Sequence, residues 1–354
     1  MQLDYYYEQQ YKKIDFKDRK LSINDKNTII YGAPRSGKSY LLLNYLSNLK
    51  KDEYLYIDCT DIRLDINLLN LNLQKFIDNK NITTILLDNY ITDIKLPDCD
   101  SIILTTNKPL AIKGFITLRL TTLDFEEFLS FESKIDSIDT IFARYLKNGS
   151  FPEINKTTGN IELYIQNILL LHLENKELKV FKLLTQYNHQ KVSVNQIYQK
   201  LKIKTKISKD ILYKIYDDLY KKQLFYLLEK FEHPKAAKKI YMFDFTIKNV
   251  LTYNKDFNAL FANLIYLELN RNYQQIFYAD GIDFFIPSKN TIVLSIPFSS
   301  LQLIEKRIDK LRYFTATHYV KKIYIITMNY TKDLSYLHPF CEAIPFIDWS
   351  IAEW

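Results

Sequence analysis

Apolar residues in the first third of the chain form short continuous runs, with one stretch of helical periodicity between them. The runs at 28–31, 53–61, 81–90 and 99–109 predict buried strands, and apolar positions at helical spacing predict a helix over 40–49. This order predicts an α/β fold with a parallel sheet and helices on both faces. Ligands of such sheets lie at the carboxyl ends of the strands, so we expect the chemistry there.

The turn between the first strand and the helix contains two of the chain's six glycines. It reads GAPRSGKS over residues 32–39, which fits the pattern G-x-x-x-x-G-K-[ST] at every fixed position. Glycine lets main-chain N–H groups approach a phosphate chain, and the helix directs the positive end of its dipole at the phosphates. Lys38 would add a charge near the β- and γ-phosphates, and the Ser39 hydroxyl would bind Mg²⁺. The residues predicted to hold ATP are Gly32, Ala33, Pro34, Arg35, Ser36, Gly37, Lys38, Ser39 and Tyr40.

Polar residues end the two later strands. Asp88 closes one apolar run, at the position where the Walker B carboxylate that holds Mg²⁺ is expected. Thr105, Thr106 and Asn107 close the next run, where a polar side chain could orient water or contact the γ-phosphate. The alternative is that these polar residues simply cap ordinary strands. The predicted Mg²⁺ ligands are Ser39 and Asp88, and the predicted catalytic residues are Lys38, Asp88, Asn89 and Asn107.

With this series of strands the chain resembles AAA-plus ATPases, in which the polar tip after the Walker B strand is called sensor 1. The resemblance implies a Glu directly after Asp88, acting on water, but this chain has Asn89. An amide can hold a water molecule by hydrogen bonding but cannot accept its proton. Hydrolysis is therefore expected to be slow, or ATP to be bound without efficient turnover. Arginines are scarce in this region, and Arg119 and Arg144 are the candidates for an arginine finger.

Two further stretches narrow the resemblance. LRLTTLDFEEFLSFE (118–132) and ARYLKNGSFPEI (143–154) resemble the paired motifs pL-sf-EFL and Y-L-x-x-G-G-F-P-E of one bacterial and archaeal group. Members of that group are ATPases fused to a C-terminal domain with a restriction-endonuclease-like fold, and the resemblance covers nearly the whole chain. The residues alone predict a short helix with an apolar stripe, then a tight turn. The predicted domains are an AAA-type ATP-binding domain (1–135), a helical lid or linker (136–170), an α+β winged helix (171–246) and a degenerate α/β nuclease-like domain (247–354).

The central region predicts three helices followed by a hairpin, the pattern of a winged helix whose third helix and wing commonly contact DNA. The helices are predicted at 175–190, 193–201 and 208–225. Residues 176–245 hold 16 lysines against seven acidic residues, although the net charge of the whole chain is only +7. Either an anionic partner binds here, or the region is a solvated lysine-rich surface and the winged helix packs between domains. The lysines predicted to contact nucleic acid are Lys202, Lys204, Lys206, Lys209, Lys235, Lys238 and Lys239.

The C-terminal third predicts a helix and two strands at 261–272, 277–287 and 290–300. They resemble the elements that carry Glu, Asp and [E/Q]-x-K in restriction-endonuclease-like folds. Glu268 and Asp283 match the two acidic positions, but Ser295-Ile296-Pro297 stands where the acid or amide and the lysine are required. The sequence therefore predicts a retained fold without nuclease activity, in which the two acids are structural.

The amino-acid composition limits the class of protein and its expected cellular location. A chain of 354 residues with 47% hydrophobic and 25% charged residues is expected to be globular, with two or three domains. Cys59, Cys99 and Cys341 lack C-x-x-C spacing, which disfavours zinc and disulfides and suits the reducing cytoplasm. The first residues lack the apolar core of a signal peptide, and no uncharged apolar stretch reaches the ~20 residues that predict a membrane span.

The favoured function is Mg²⁺-dependent ATP binding with slow hydrolysis, which switches the arrangement of the C-terminal modules on a nucleic-acid or protein partner. The alternative is a nucleotide-gated binding module without useful hydrolysis. A small-molecule kinase is disfavoured, because kinases require neither the sensor-like strand nor the two trailing modules. The residues leave the oligomeric state open.

Overall fold

The computed structural model describes residues 2–9, 11, 17–24, 27–132, 136–154, 159–298 and 300–352, except for the side chain of Lys204. Contacts divide the chain into two compact units. The first unit comprises residues 1–122 with 221–223, and the second comprises 123–220 with 224–354. The finer division into four domains stays a prediction.

The first unit is built on a parallel sheet that has five strands in the described part of the chain. Its elements are α1 (Gln2–Glu8), β1 (Asn27–Tyr31), α2 (Lys38–Leu46), β2 (Tyr54–Asp58), α3 (Ile66–Lys80), β3 (Thr84–Asp88), β4 (Ser101–Thr106) and β5 (Ile116–Arg119). The strands lie in the order β2-β3-β4-β1-β5, and neighbouring strands are parallel. The predicted α/β fold with a parallel sheet is confirmed. Because β4 lies between β1 and β3, the carboxyl ends of these three strands meet at one edge.

Helices pack on both faces of this sheet, because successive side chains of each strand point to opposite faces. On one face Ile29 of β1 belongs to the same buried cluster as Leu73 of α3. On the opposite face Ile30 belongs to a cluster with Leu42 of α2. Each of these side chains is at most 2% exposed, and burial of an aliphatic side chain of this size stabilises a fold by about 1.5–3 kcal/mol.

The second unit begins with helices and continues into a mixed sheet. Its first elements are α4 (Phe125–Phe131), α5 (Ile138–Asn148), α6 (Ile161–His172), α7 (Asn175–Thr185), β6 (Lys191–Val192), α8 (Val194–Lys204), α9 (Lys209–Lys221), β7 (Phe225–Lys230) and β8 (Lys238–Met242). The remaining elements are α10 (Ile247–Leu251), α11 (Phe257–Asn272), β9 (Phe277–Ala279), β10 (Ile282–Ile286), β11 (Thr291–Ser295), α12 (Leu301–Asp309), α13 (Arg312–Thr317), β12 (Lys322–Thr327), β13 (Lys332–Asp333), β14 (Cys341–Pro345) and α14 (Phe346–Ile351). Among the described helices of both units, none combines the length and the apolar character that crossing a bilayer requires.

The strands of the second unit form a single sheet, in the order β13-β14-β12-β11-β10-β9-β7-β8-β6 over the described residues. β9, β10 and β11 are antiparallel neighbours, whereas β11, β12 and β14 run parallel. The hairpin β7–β8 joins this sheet because β7 pairs in parallel with β9, with Glu229 opposite Phe277 and Lys230 opposite Tyr278. The sheet therefore continues across the predicted domain boundary between residues 246 and 247.

The first of the two motif stretches forms α4 and its N-terminal cap. Asp124 and Glu127 make a reciprocal capping box, in which each side chain accepts a hydrogen bond from the backbone N–H of the other residue. Phe125 and Phe128 are fully buried, and both rings pack against the ring of Tyr145 in α5. The predicted apolar stripe is thus part of the core of the second unit.

The second motif stretch ends in a turn that packs on the carboxylate of Asp244. Gly149 has a φ of +90°, and a Cβ atom there would lie 2.9 Å from Asp244 Oδ1. Ser150 donates hydrogen bonds to Asp244 Oδ2 from its N–H at 2.7 Å and from its hydroxyl at 2.6 Å. Thr246 donates to Oδ1 from its N–H at 2.8 Å and also from its hydroxyl. The turn satisfies a buried carboxylate with neutral donors, and glycine is needed for both conformation and space.

We expect Gly149→Ala to lower the free energy of unfolding by about 2–6 kcal/mol, since backbone strain and a forced contact each cost ~1–3 kcal/mol. Gly159→Ala is the matched control in the same unit, because Gly159 also has a positive φ of +122° but open space around its Cβ position. Urea denaturation of both variants measures the difference. Equal losses for the two variants would contradict the packing of Gly149 on Asp244.

Candidate functional site

The two glycines of the loop that joins β1 to α2 serve different purposes. Gly32 lies against the segment that follows β5, and a Cβ atom on Gly32 would come within 2.0 Å of the backbone oxygen of Leu120. Gly37 has a φ of 98°, a left-handed conformation that glycine adopts without cost, and it directly precedes α2. One glycine therefore permits a close approach of backbones, and the other permits the turn into the helix.

Lys38, the first residue of α2, points back into this loop. Its Nζ atom donates hydrogen bonds to the carbonyl oxygens of Gly32 and Ala33, both at 3.0 Å, and the side chain is buried. Burial lowers the pKa of Lys38 to about 8, although nearby Asp88 acts in the opposite direction. An anionic ligand in the loop would restore the ordinary preference for the charged form. The ammonium group is thus held at the loop by two carbonyl groups that phosphate oxygens can replace.

Two further groups complete the loop. The hydroxyl of Ser36 is buried, and among the described residues it has no hydrogen-bond partner. Arg19 donates to the carbonyl oxygen of Ser36 at 2.8 Å and to that of Thr121 at 2.9 Å. Ser39 and Tyr40 are half-buried in the first turn of α2, and Arg35 is exposed. Arg19 lies outside the motif, and no local pattern in the sequence predicts its contact with the loop.

Asp88 lies at the carboxyl end of β3 and is 2% exposed. Its Oδ2 atom accepts a hydrogen bond from the hydroxyl of Tyr56 at 3.0 Å. Its Oδ1 atom accepts from the N–H of Asn89 at 3.1 Å and from the hydroxyl of Thr105. Burial, with Asp88 beside it, raises the pKa of Tyr56 and keeps its hydroxyl a donor. These three described donors are uncharged, and the ammonium group of Lys38 is near enough to Asp88 for the two to interact electrostatically.

The polar tip of β4 reaches this site through Thr105. Its hydroxyl binds Asp88 and also accepts a hydrogen bond from the N–H of Asn89 at 2.8 Å. The hydroxyl of Thr106 donates to the carbonyl oxygen of Lys108 at 2.7 Å, and Asn107 lies exposed beyond the strand. The contact to the Asp88 carboxylate therefore comes from a residue two positions before Asn107.

Asn89 follows the strand in a left-handed conformation, with a φ of 53°. Its side-chain Nδ2 atom lies 3.3 Å from Oδ1 of Asp58, which ends β2 and is the register partner of Asp88. Thr60 also donates to that oxygen from its N–H at 3.0 Å and its hydroxyl at 2.8 Å. Asp58 is a second carboxylate at this edge. Its signal in the sequence is an acidic residue near the end of an apolar run, the same signal that identified Asp88.

The arginine-finger candidates lie in different surroundings. Arg119 ends β5 and is half-buried. Arg144 in α5 is bound by Glu132 and Asp136, each at 2.7 Å, and these partners raise the pKa of its guanidinium. The guanidinium of Arg144 thus bridges the segment before α5 to that helix.

The lysines predicted to meet nucleic acid separate into exposed and engaged groups. Those with exposed side chains are Lys202, Lys206, Lys209 and Lys235. Lys238 pairs with Glu229. Lys239 does not belong to the surface, because it is 8% exposed and its Nζ lies 3.6 Å from Oδ1 of Asp283. The side chain of Lys204 lies outside the described part of the chain.

The two acids of the predicted nuclease-like region, Glu268 and Asp283, each pair with cationic side chains. Glu268 in α11 pairs with Arg271, and Asp283 in β10 accepts from Nη2 of Arg307 at 2.7 Å and from the N–H of Ser295 at 2.9 Å. Burial acts to raise the pKa of Asp283, but Arg307 and Lys239 outweigh it and hold that pKa below its usual value. These contacts support the prediction that the acids are structural, since a divalent cation would compete with existing positive charges.

Comparisons with known proteins give distant similarities. No protein-family model matches the chain. An uncharacterized protein of Methanocaldococcus jannaschii is 24% identical over 401 residues, covering 93% of this chain and 89% of that protein.

Two solved structures are similar to part of the chain. A Walker-type ATPase of Pyrococcus abyssi has a TM-score of 0.41 and 14% identity, covering 64% of this chain and 91% of that one. The Aeropyrum pernix ORC1 protein in complex with DNA has a TM-score of 0.30 and 11% identity, covering 65% of this chain and 87% of that one. Both TM-scores are below 0.5, so the fold of this chain rests on its own strand order and loop geometry.

Tyr56→Phe should lower the free energy of unfolding by about 1–3 kcal/mol, because it leaves Oδ2 of a buried carboxylate without its donor. Tyr54→Phe is the control, since it also removes the hydroxyl of a buried tyrosine. Tyr54 lies on the same face of β2, two residues before Tyr56 and opposite Thr84. Urea denaturation compares the two variants. If Tyr54→Phe costs as much as Tyr56→Phe, the hydrogen bond to Asp88 is not what stabilises this edge.

Proposed function

We propose that the first unit binds Mg²⁺-ATP in the loop of residues 32–39 and hydrolyses it slowly. The observation that carries the proposal is the buried ammonium group of Lys38, held at 3.0 Å by two loop carbonyl groups, on the same edge as the carboxylate of Asp88. The hydroxyl of Ser36, which has no hydrogen-bond partner in the described part of the chain, and the glycine at position 32 also fit a loop that accepts phosphate oxygens.

The oxygen atoms at this edge suit Mg²⁺, a hard cation that prefers carboxylate, hydroxyl and water ligands. Ser39 and Asp88 would hold it, and Mg²⁺ when bound would neutralise charge on the β- and γ-phosphates. An ionised carboxylate offers about four acceptor positions, and described donors occupy three of them at Asp88. The remaining position suits contact through a water molecule of the ion's shell.

Asn89 sets the expected rate of hydrolysis. Its amide can hold an attacking water molecule but cannot take its proton, and its Nδ2 atom is already directed at Asp58. Thr105 and Asn107 are the polar residues of the neighbouring strand that we propose for orienting water or contacting the γ-phosphate. This chemistry supports slow turnover and also makes the alternative, a nucleotide-gated binding module without useful hydrolysis, a specific second candidate.

The role of ATP in this proposal is to control the second unit. We assign residues 171–246 as a winged helix and residues 247–354 as a degenerate restriction-endonuclease-like domain. The order of elements supports both assignments: helix, short strand, two helices and a hairpin in the first, and helix, three antiparallel strands, helices and a parallel strand in the second. The nucleotide state would switch the arrangement of these modules on a partner. We propose a location in the cytoplasm, because the cysteines lack C-x-x-C spacing and suit a reducing compartment.

Nucleic acid is the partner class that the exposed lysines suit. Lys202 and Lys206 lie at the end of α8 and just beyond it, Lys209 begins α9, and Lys235 lies in the hairpin loop. Their positive charges would neutralise phosphates with little dependence on base sequence. Buried Lys239 has no part in this surface.

Lys38→Ala should weaken ATP binding by about 10- to 100-fold, since charge-assisted hydrogen bonds contribute ~1.5–3 kcal/mol each. Titration with a fluorescent ATP analogue in Mg²⁺ measures the affinity, and phosphate release measures turnover. Lys50→Ala is the control, because that side chain is 81% exposed just beyond α2. A wild-type protein that does not bind ATP contradicts the proposal.

The same pair of measurements separates the two candidate functions. Phosphate release above that of Lys38→Ala identifies an ATPase. ATP binding that Lys38→Ala abolishes, with phosphate release equal in both proteins, identifies the binding module instead.

DNA binding by the second unit should weaken steeply with salt, with a slope of about −0.9 in log affinity against log salt for each phosphate contacted. The double variant Lys202→Ala/Lys206→Ala should reduce that slope by about 1–2, whereas Lys95→Ala/Lys113→Ala, at exposed lysines of the first unit, should leave it unchanged. Fluorescence anisotropy with labelled duplex DNA measures both. Binding that is absent or independent of salt removes nucleic acid as the partner.

A further inference from the structure

A groove lies between α7 and α8 in the second unit. Its volume is about 570 Å³, and a smaller extension of about 110 Å³ continues it toward α9. The main part and the extension share Lys179, Leu201 and Thr205 as lining residues. We refer to both parts together as the α7–α8 groove. Its size falls in the range of grooves that hold ligands or short segments of a partner.

The floor of the α7–α8 groove is apolar. Leu183 and Leu201 line the main part, and Val180 and Ile207 line the extension. Ile203, at the edge of the main part, is 83% exposed although it is a large aliphatic side chain. A contiguous apolar surface of this kind, rimmed by polar residues, is typical of an interaction site.

The rim of the α7–α8 groove is positively charged. Lys176, Lys179 and Lys182 follow one another at three-residue spacing along the exposed face of α7. Lys200 of α8 and Lys206 contribute from the other side, and the Nζ of Lys200 lies 4.8 Å from the ring centroid of Tyr187. None of the described lining residues is acidic. The rim therefore complements a negatively charged occupant.

We propose that the α7–α8 groove binds a segment of a partner protein that carries acidic side chains next to apolar ones. The lysines alone would suit a nucleic-acid backbone equally well. The floor decides between the two, because duplex DNA presents mainly charged and polar groups, and its apolar groups, such as thymine methyls, are too small and scattered to cover both Ile203 and Leu183. An amphipathic acidic segment satisfies rim and floor together, as amphipathic helices do in apolar grooves. The proposal does not depend on ATP binding.

The probe for this proposal is a short fluorescein-labelled peptide with leucines at helical spacing among glutamates. Its control replaces each leucine by serine and keeps the charge. Ile203→Ser should weaken binding of the Glu/Leu peptide by about tenfold. In the wild-type protein the peptide covers the exposed apolar surface of Ile203, and the serine variant lacks that surface. Lys179→Glu/Lys182→Glu should weaken it by at least about tenfold through repulsion. Both changes are at exposed positions, and circular dichroism verifies that the variants are folded.

Matched control variants lie in the first unit. Ile62→Ser replaces a fully exposed isoleucine, and Lys113→Glu reverses an exposed lysine. Neither should change the affinity for the peptide. Fluorescence anisotropy on the full chain, with and without ATP, measures all variants, so a failure of ATP binding does not obscure the result.

Several outcomes would overturn the proposal. Equal affinity for the Glu/Leu and Glu/Ser peptides would show charge attraction without use of the floor. Loss of labelled duplex DNA binding in Ile203→Ser, with no peptide binding, would assign the groove to nucleic acid. A dimer in analytical ultracentrifugation that Ile203→Ser dissociates would assign it to a second copy of the chain.

Discussion

The conformation of the loop of residues 32–39 depends on the contact between Gly32 and the backbone of Leu120. With no side chain at position 32, the loop can lie against the segment that follows β5, within a distance that excludes a Cβ atom. Arg19 fixes the same two segments from the outside, through the carbonyl oxygens of Ser36 and Thr121. The position of Lys38 follows from this, because its Nζ is held by carbonyl groups of the loop itself.

Among the described residues, the buried carboxylates of Asp88, Asp244, Glu268 and Asp283 are satisfied in two ways. Asp88 and Asp244 are bound by hydroxyl and N–H donors that carry no charge. Glu268 and Asp283 are instead paired with guanidinium and ammonium groups. A carboxylate with neutral donors keeps a net negative charge that can attract a cation, whereas a paired one does not. Of the two in the first group, Asp88 lies at the edge where parallel strands end, and Asp244 is enclosed by a turn.

The sequence predicted the features that local spacing encodes. The strand, the loop of residues 32–39 and the following helix all formed where predicted, because glycine spacing and apolar runs act over a few residues. Contacts across long separations escaped prediction: Tyr56 reaches Asp88 over 32 residues, and Arg19 reaches Thr121 over 102. The sequence predicted a polar tip on β4 but not the contact of Thr105 with Asp88, since periodicity does not show which side chains of neighbouring strands meet.

Strand geometry explains why one predicted surface lysine is buried. Lys238 and Lys239 are neighbours on β8, and successive side chains of a strand point to opposite faces. The two side chains therefore lie on opposite faces of the sheet, and that of Lys239 is buried beside Asp283. Charge counting treats the two as equivalent, whereas period-two alternation already indicates that one of them is turned inward.

The parallel pairing of β7 with β9 has a consequence for how the second unit can be divided. Main-chain hydrogen bonding continues from the hairpin into the C-terminal strands, including a bond of 2.8 Å from the N–H of Phe231 to the oxygen of Tyr278. A chain cut after residue 246 would leave β9 with an uncovered edge whose N–H and C=O groups can template association with other molecules. The hairpin thus covers that edge, and we expect a chain cut there to associate more readily than the intact chain.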